Sequence, residues 1–139
     1  MTRLSVNLNK VALLRNSRNI GILSVIRAAE QSVMAGAQGI TVHPRPDQRH
    51  IRTSDVYELS EHLKGIPNVE FNIEGNPFPE FLEIVRRVRP AQCTLVPDGP
   101  DAVTLDHGWN LEQVRTATRT HHRGVTRSWC TRQPLHGRG

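Results

Sequence analysis

Two cysteines, Cys93 and Cys130, are too few for a disulfide framework. Glycine is equally sparse for a fibrous protein: ten residues with no period exclude a collagen-like repeat. Aromatic residues make up only 4% of the chain. No apolar run approaches the roughly 18 residues that cross a bilayer. The N-terminal stretch Met1-Thr-Arg-Leu-Ser-Val-Asn7 holds no apolar segment of signal-peptide length. A soluble, cytoplasmic protein is therefore expected. What remains is a chain of 139 residues, long enough for one domain with its own core.

Acidic residues are missing from one region altogether. All 13 Asp and Glu lie in residues 1–115, with 13 of the 18 Lys and Arg, so that body is neutral. Residues 116–139 hold five Arg and no acid, and the whole net charge of +5 sits there. A pI near 10.2 invites a nucleic-acid reading. The tail, however, offers one aromatic residue, Trp129, and no recognisable motif, so neither a nucleic-acid nor a membrane partner is expected. Two sequences of different character are joined near Arg115. This predicts a body over 1–115 and a disordered or out-of-frame basic tail over 116–139, the frame shifting just after Arg115.

The body reads as alternating strands and helices. Leu4–Leu8 alternates apolar and polar residues as a short strand. Ile22 through Ala37 places Ile22, Val25, Ile26, Ala29, Val33 and Met34 on one helical face, with Gly36 near its end. Ile40–His43 is a β-branched strand cut off by Pro44. A helix follows, capped by Thr53 or Ser54 and closed by Gly65. Val69–Ile73 alternates again, Pro79–Val88 forms a third helix, Cys93–Val96 a fourth strand, and Asn110 caps a helix starting at Leu111. Repeated βα units imply a parallel α/β sheet. A small doubly wound sheet and half of a (β/α)8 barrel both fit this order, since a whole barrel needs about 250 residues.

In either architecture reactive groups gather beyond the C-terminal ends of the strands. Those positions hold Asn7 and Asn9, then His43 and Arg45, then Glu70 to Glu74, then Asp98, Asp101 and Thr104. The densest cluster is His43-Pro-Arg-Pro-Asp-Gln-Arg-His50. A histidine ending a strand can move protons near neutral pH, and Arg45, Arg49 and His50 suit a phosphate or carboxylate. The plainer alternative is a solvated loop whose arginines pair with Asp47. Glu70, inside an apolar strand, either faces water or points into a barrel lumen, where desolvation would equip it as a general base. Asn7, Arg15 and Arg18 form a weaker group. His43 and His50 lie seven apart with no cysteine nearby, so no metal site is expected.

Four segments together resemble the pyridoxine 5′-phosphate synthase family: Leu4–Arg18, Ala35–Ile51, Val69–Glu74 and Thr94–Pro97. The second is long and specific, and the four stand in the family's order over roughly residues 3–115. The resemblance implies the first four βα units of a (β/α)8 TIM barrel that assembles as a homo-octamer. It implies a transferase of vitamin B6 and pyridoxal phosphate biosynthesis, joining 3-amino-2-oxopropyl phosphate to 1-deoxy-D-xylulose 5-phosphate. Phosphate and water are released, with neither a metal nor an organic cofactor. By the same resemblance His43 and Glu70 are the proton acceptors, and Asn7 and Arg18 contact the amino-ketone phosphate. Asn9, Lys10, Arg45, His50 and Thr104 contact the deoxyxylulose phosphate, Asn9-Lys10 standing where the family often has Asp-His. The family's second half carries a proton-donating histidine and a glycine-rich phosphate site, which this chain is expected to lack. An inactive fragment follows, or alternatively a non-catalytic phosphate-binding half-barrel. Such a fragment would leave two open strand edges and an uncovered apolar lumen face.

Overall fold

Four short strands, β1 (Ser5–Asn7), β2 (Gly39–Val42), β3 (Glu70–Gly75) and β4 (Gln92–Leu95), pair in parallel in the order in which the chain makes them. The computed structural model describes residues 2–17 and 23–97, all within the first of the chain's two units, Met1–Asp106. Helices α1 (Asn9–Ser17), α2 (Val25–Met34), α3 (Thr53–Lys64) and α4 (Pro79–Val88) fill the connections. A doubly wound sheet reverses its strand order at a switch point. Here each strand pairs with the next and no reversal occurs among the described strands. That is the wall of a barrel, and the fold is α/β, part of a TIM barrel.

The register separates two faces. Val6, Ile40 and Phe71 stand side by side, as do Val42 and Ile73, and these meet the helices. Ile40, Val42 and Ile73 are fully buried, with Val56 and Leu59 of α3 and Phe81 and Val85 of α4 closing over the sheet. Burying each such aliphatic side chain stabilises the fold by about 1.5–3 kcal/mol.

The other face corrects an expectation. An apolar lumen surface was expected, but the residues there are Ser5, Asn7, Thr41, Glu70, Asn72, Glu74, Gln92 and Thr94. They bond across the strands: Ser5 to Thr41 at 2.8 Å, Thr94 Oγ1 to Asn72 Oδ1 at 3.0 Å, Gln92 Nε2 to Glu70 Oε2 at 2.7 Å. The strands are therefore amphipathic by period-2 alternation, and only the helix side needed hydrophobic residues.

Three local boundaries also differ. Helix α1 was not anticipated, because Val11-Ala-Leu-Leu14 is a continuous apolar run without a helical stripe; Ala12 is buried while Leu13 and Leu14 are exposed. An Asx turn leads into it, Asn9 N–H donating to Asn7 Oδ1 at 2.9 Å. Helix α2 begins at Val25 rather than Ile22, because Ser24 Oγ accepts the Arg27 N–H and caps it. Helix α3 is capped by neither Thr53 nor Ser54: Arg52 holds the N-cap position, and its N–H donates to the Asp55 carboxylate at 2.8 Å. The helix expected from Leu111 and the segment 116–139 lie outside the described residues.

Candidate functional site

Strand alternation puts Asn7, Glu74 and Thr94 on the lumen face near the C-terminal ends of their strands. Asn7 pairs with Thr41 across β1 and β2, and Glu74 pairs with Thr94 across β3 and β4. Val42 pairs with Ile73, so the next residues, His43 and Glu74, fall level. Asn7 Nδ2 reaches Glu74 Oε2 at 3.4 Å while its oxygen is held by the Asx turn, which fixes the amide with its donor toward the carboxylate. Glu74 is half-buried, and burial raises its carboxyl above the usual glutamate range. A carboxyl of that kind exchanges protons nearer neutrality than a solvated one.

His43 is 6% exposed, and its backbone N–H donates to Asn9 Oδ1 at 2.9 Å, tying the start of α1 to the end of β2. Its ring lies 6.0 Å from that of His50. Arg45 is also 6% exposed, with Asp47 at 3.8 Å from its Nε. Burial works to raise the Asp47 carboxyl, but hydrogen bonds from Arg49 and the charges of Arg49 and Arg45 outweigh it and hold the group below the usual range. Arg49 pairs with Asp47 at 2.6 Å, as the solvated-loop reading has it, while His43 and Arg45 are buried. A cavity of about 340 Å³ opens beside the mouth, lined by His43, Arg45 and Thr53 and, from the segment after β3, by Asn76, Phe78 and Phe81.

Glu70 is elsewhere. It begins β3, level with Gly39 and Ser5, and its carboxylate accepts from Arg3 at 2.6 Å and Gln92 at 2.7 Å. That is the N-terminal end of the sheet, the end associated in such barrels with stability rather than chemistry. Glu70 and His43 are not brought together. Glu74, to which sequence reasoning gave no role, shares the mouth with His43. The signal was available: Glu70, Asn72 and Glu74 share one strand face, and only the last stands at the C-terminal end. Lys10 is exposed on α1. Arg18, Thr104, Asp98 and Asp101 lie outside the described residues. Among the described residues no three His, Cys, Asp or Glu side chains are placed to hold a metal ion, and no helix is long and apolar enough to cross a membrane.

Comparison with known sequences adds an independent line. Residues 4–129 match a family model described as pyridoxal phosphate biosynthesis protein PdxJ. The chain is 54% identical over 112 residues to the pyridoxine 5′-phosphate synthase of Parabacteroides distasonis, a match covering 81% of this chain and 45% of that relative. The enzyme of the same name from Xanthomonas campestris pv. campestris is 58% identical over 114 residues, covering 77% of this chain and 44% of the relative. The chain spans about half the length of the curated relatives it matches.

Proposed function

The chain belongs to the PdxJ family of pyridoxal phosphate biosynthesis proteins, and from that premise we propose that it supplies the N-terminal half of a pyridoxine 5′-phosphate synthase site. The reaction is the condensation of 3-amino-2-oxopropyl phosphate with 1-deoxy-D-xylulose 5-phosphate, giving pyridoxine 5′-phosphate, phosphate and water. The observation that carries this reading is the grouping at one strand end of Asn7, His43 and Glu74, beside a cavity that Arg45 lines.

Each step of that chemistry moves protons. An amine and a carbonyl lose water to form an imine, a hydroxyl leaves as water once protonated, inorganic phosphate is eliminated, and the ring closes. His43 and a glutamate of β3 act as the two proton acceptors: Glu70 by the family resemblance, or Glu74, which stands level with His43. The raised affinity of Glu74 for a proton suits a group that must both take and return one. Asn7 orients the substrate amine or carbonyl from beside Glu74. Arg45 and His50 bind the deoxyxylulose phosphate, with Asn9, Lys10 and Thr104 as further contacts, and Arg18 serves the amino-ketone phosphate. The whole barrel is a cytoplasmic, octameric enzyme in this reading.

In this reading the half-site binds a phosphorylated substrate through Arg45 and His50. Calorimetry with 1-deoxy-D-xylulose 5-phosphate tests this: binding is expected, with a loss of about tenfold or more in Arg45→Ala. No binding at millimolar ligand would overturn the assignment of the phosphate cluster. Formation of pyridoxine 5′-phosphate by this chain would overturn the half-site reading and exclude a merely phosphate-binding module.

A further inference from the structure

The loop that carries His43, Arg45 and His50 is held from outside by three residues that the reaction does not require. Arg15, in the last turn of α1, forks onto Asp55 in the first turn of α3: Nη1 to Oδ1 at 2.6 Å and Nη2 to Oδ2 at 2.9 Å. Asp55 is 6% exposed, and Oδ2 also accepts the Arg52 N–H. Arg15 Nη2 donates again, to the His50 carbonyl at 3.3 Å. Asn16 Nδ2 donates to the same carbonyl at 2.8 Å and to that of Arg49 at 3.0 Å. One residue further, the buried Ile51 donates its N–H to His50 Nδ1 at 2.9 Å. With that lone pair occupied, the ring proton of neutral His50 sits on Nε2.

A buried ion pair is by itself weak evidence for stability, and joining two helices would need only Arg15 and Asp55. The extra bonds go to the carbonyls of Arg49 and His50, where they fix the loop backbone instead. We infer that Arg15, Asn16 and Asp55 are positioning residues that hold the His50 imidazole as an Nε2–H donor in the cationic cluster. The inference deepens the proposed phosphate-binding role of His50, yet the state of the ring is readable with no ligand present.

The test uses the full 139-residue chain labelled with ¹⁵N-histidine, with two-bond ¹H–¹⁵N spectra reporting which ring nitrogen carries the proton. In the wild type His50 is expected as the Nε2–H tautomer. Asn16→Ala removes the amide that bonds both carbonyls and accepts from Arg15 Nε and Nη2 at 3.1 and 3.0 Å, and it leaves the Arg15 and Asp55 side chains present to pair; Arg15→Lys keeps the charge but loses the fork. In both, His50 is expected to become a mixture of tautomers with an unchanged circular-dichroism spectrum. Affinity for inorganic phosphate is expected to fall about tenfold, since small misplacements of a binding group are that costly. A folded Asn16→Ala chain that keeps the wild-type His50 signature would overturn the inference, as would a wild-type His50 protonated on Nδ1. If the tautomer shifts but wild-type protein binds no phosphate, the positioning stands and the phosphate reading of His50 falls.

Discussion

Glu70 and Glu74 share a strand face and differ by four positions, yet their surroundings differ. Glu70 is tied to Arg3 and Gln92 at the N-terminal end of the sheet. Glu74 is half-buried with a long contact to an amide, and burial raises its carboxyl. The stability consequence has a definite sign. A folded-state value above the unfolded one means that the native chain holds this proton more tightly. The contribution is complete below the ordinary value of 4.5 and is lost as pH rises through the raised one. Urea unfolding measured between about pH 4 and 8 should show this downward component, and Glu74→Gln should remove it. Glu70→Gln should leave that component in place and weaken the link to Arg3. An unchanged pH profile in Glu74→Gln would contradict the burial argument. The positions of His43 and Arg45 were legible in the sequence because a strand end followed by proline marks itself, and that of Asn7 because it lies near the end of a short alternating strand. Glu74 was not singled out, because the expected strand ended at Ile73 and left Glu74 outside the alternating face.

At the level of elements, local rules succeed where side-chain periodicity and capping agree. Strand β3 and helix α4 were legible because alternation and a clear apolar stripe, ended by Pro90, bounded them. The chain leaves α4 through Arg89 in the left-handed region, at φ 53°. Helix α1 was invisible because it buries little beyond Ala12 and owes its place to bonds from Asn7, Asn9, Arg15 and Asn16 to distant residues. The start of α2 rests on one hydroxyl. Ser24→Ala should lower stability by about 1 kcal/mol in urea or thermal unfolding, the usual effect of losing an N-cap. A second element-level constraint joins β3 to α4. Gly75 faces the helices, and a Cβ built there would run into the ring of Phe81. Gly75→Ala should therefore cost about 1–3 kcal/mol through overpacking. Phe81→Leu combined with Gly75→Ala should recover part of that loss, whereas Phe81→Leu alone should destabilise. Strict additivity of the two changes would show that the residues do not meet as described.

For the molecule as a whole, the polar face changes what half a barrel means. Parallel strands buried on both sides read as continuous apolar runs, and only β2 approaches that, with all four residues buried. The other strands expose Ser5, Asn7, Gln92 and Thr94 toward the lumen, where a hydrogen-bonded ladder can face water without driving aggregation. Strand edges remain the stronger drive to associate, because among the described strands β1 and β4 each pair on one side only. In a closed barrel β4 would meet a fifth strand and β1 an eighth. The relatives are about twice as long as this chain, so their C-terminal halves carry segments with which those edges could pair. Mixing this chain with the separately produced C-terminal half of the Parabacteroides distasonis relative should yield a complex by size-exclusion chromatography. It should also restore pyridoxine 5′-phosphate formation that neither half gives alone. Arg3→Ala, which removes the bond from the segment before β1 to Glu70, should weaken assembly more than chemistry, because it acts at the N-terminal end of the sheet. Glu74→Gln should assemble normally and abolish turnover. Complementation that survives in Glu74→Gln and fails in Glu70→Gln would return the proton-accepting role to Glu70 and reverse the assignment made from the geometry.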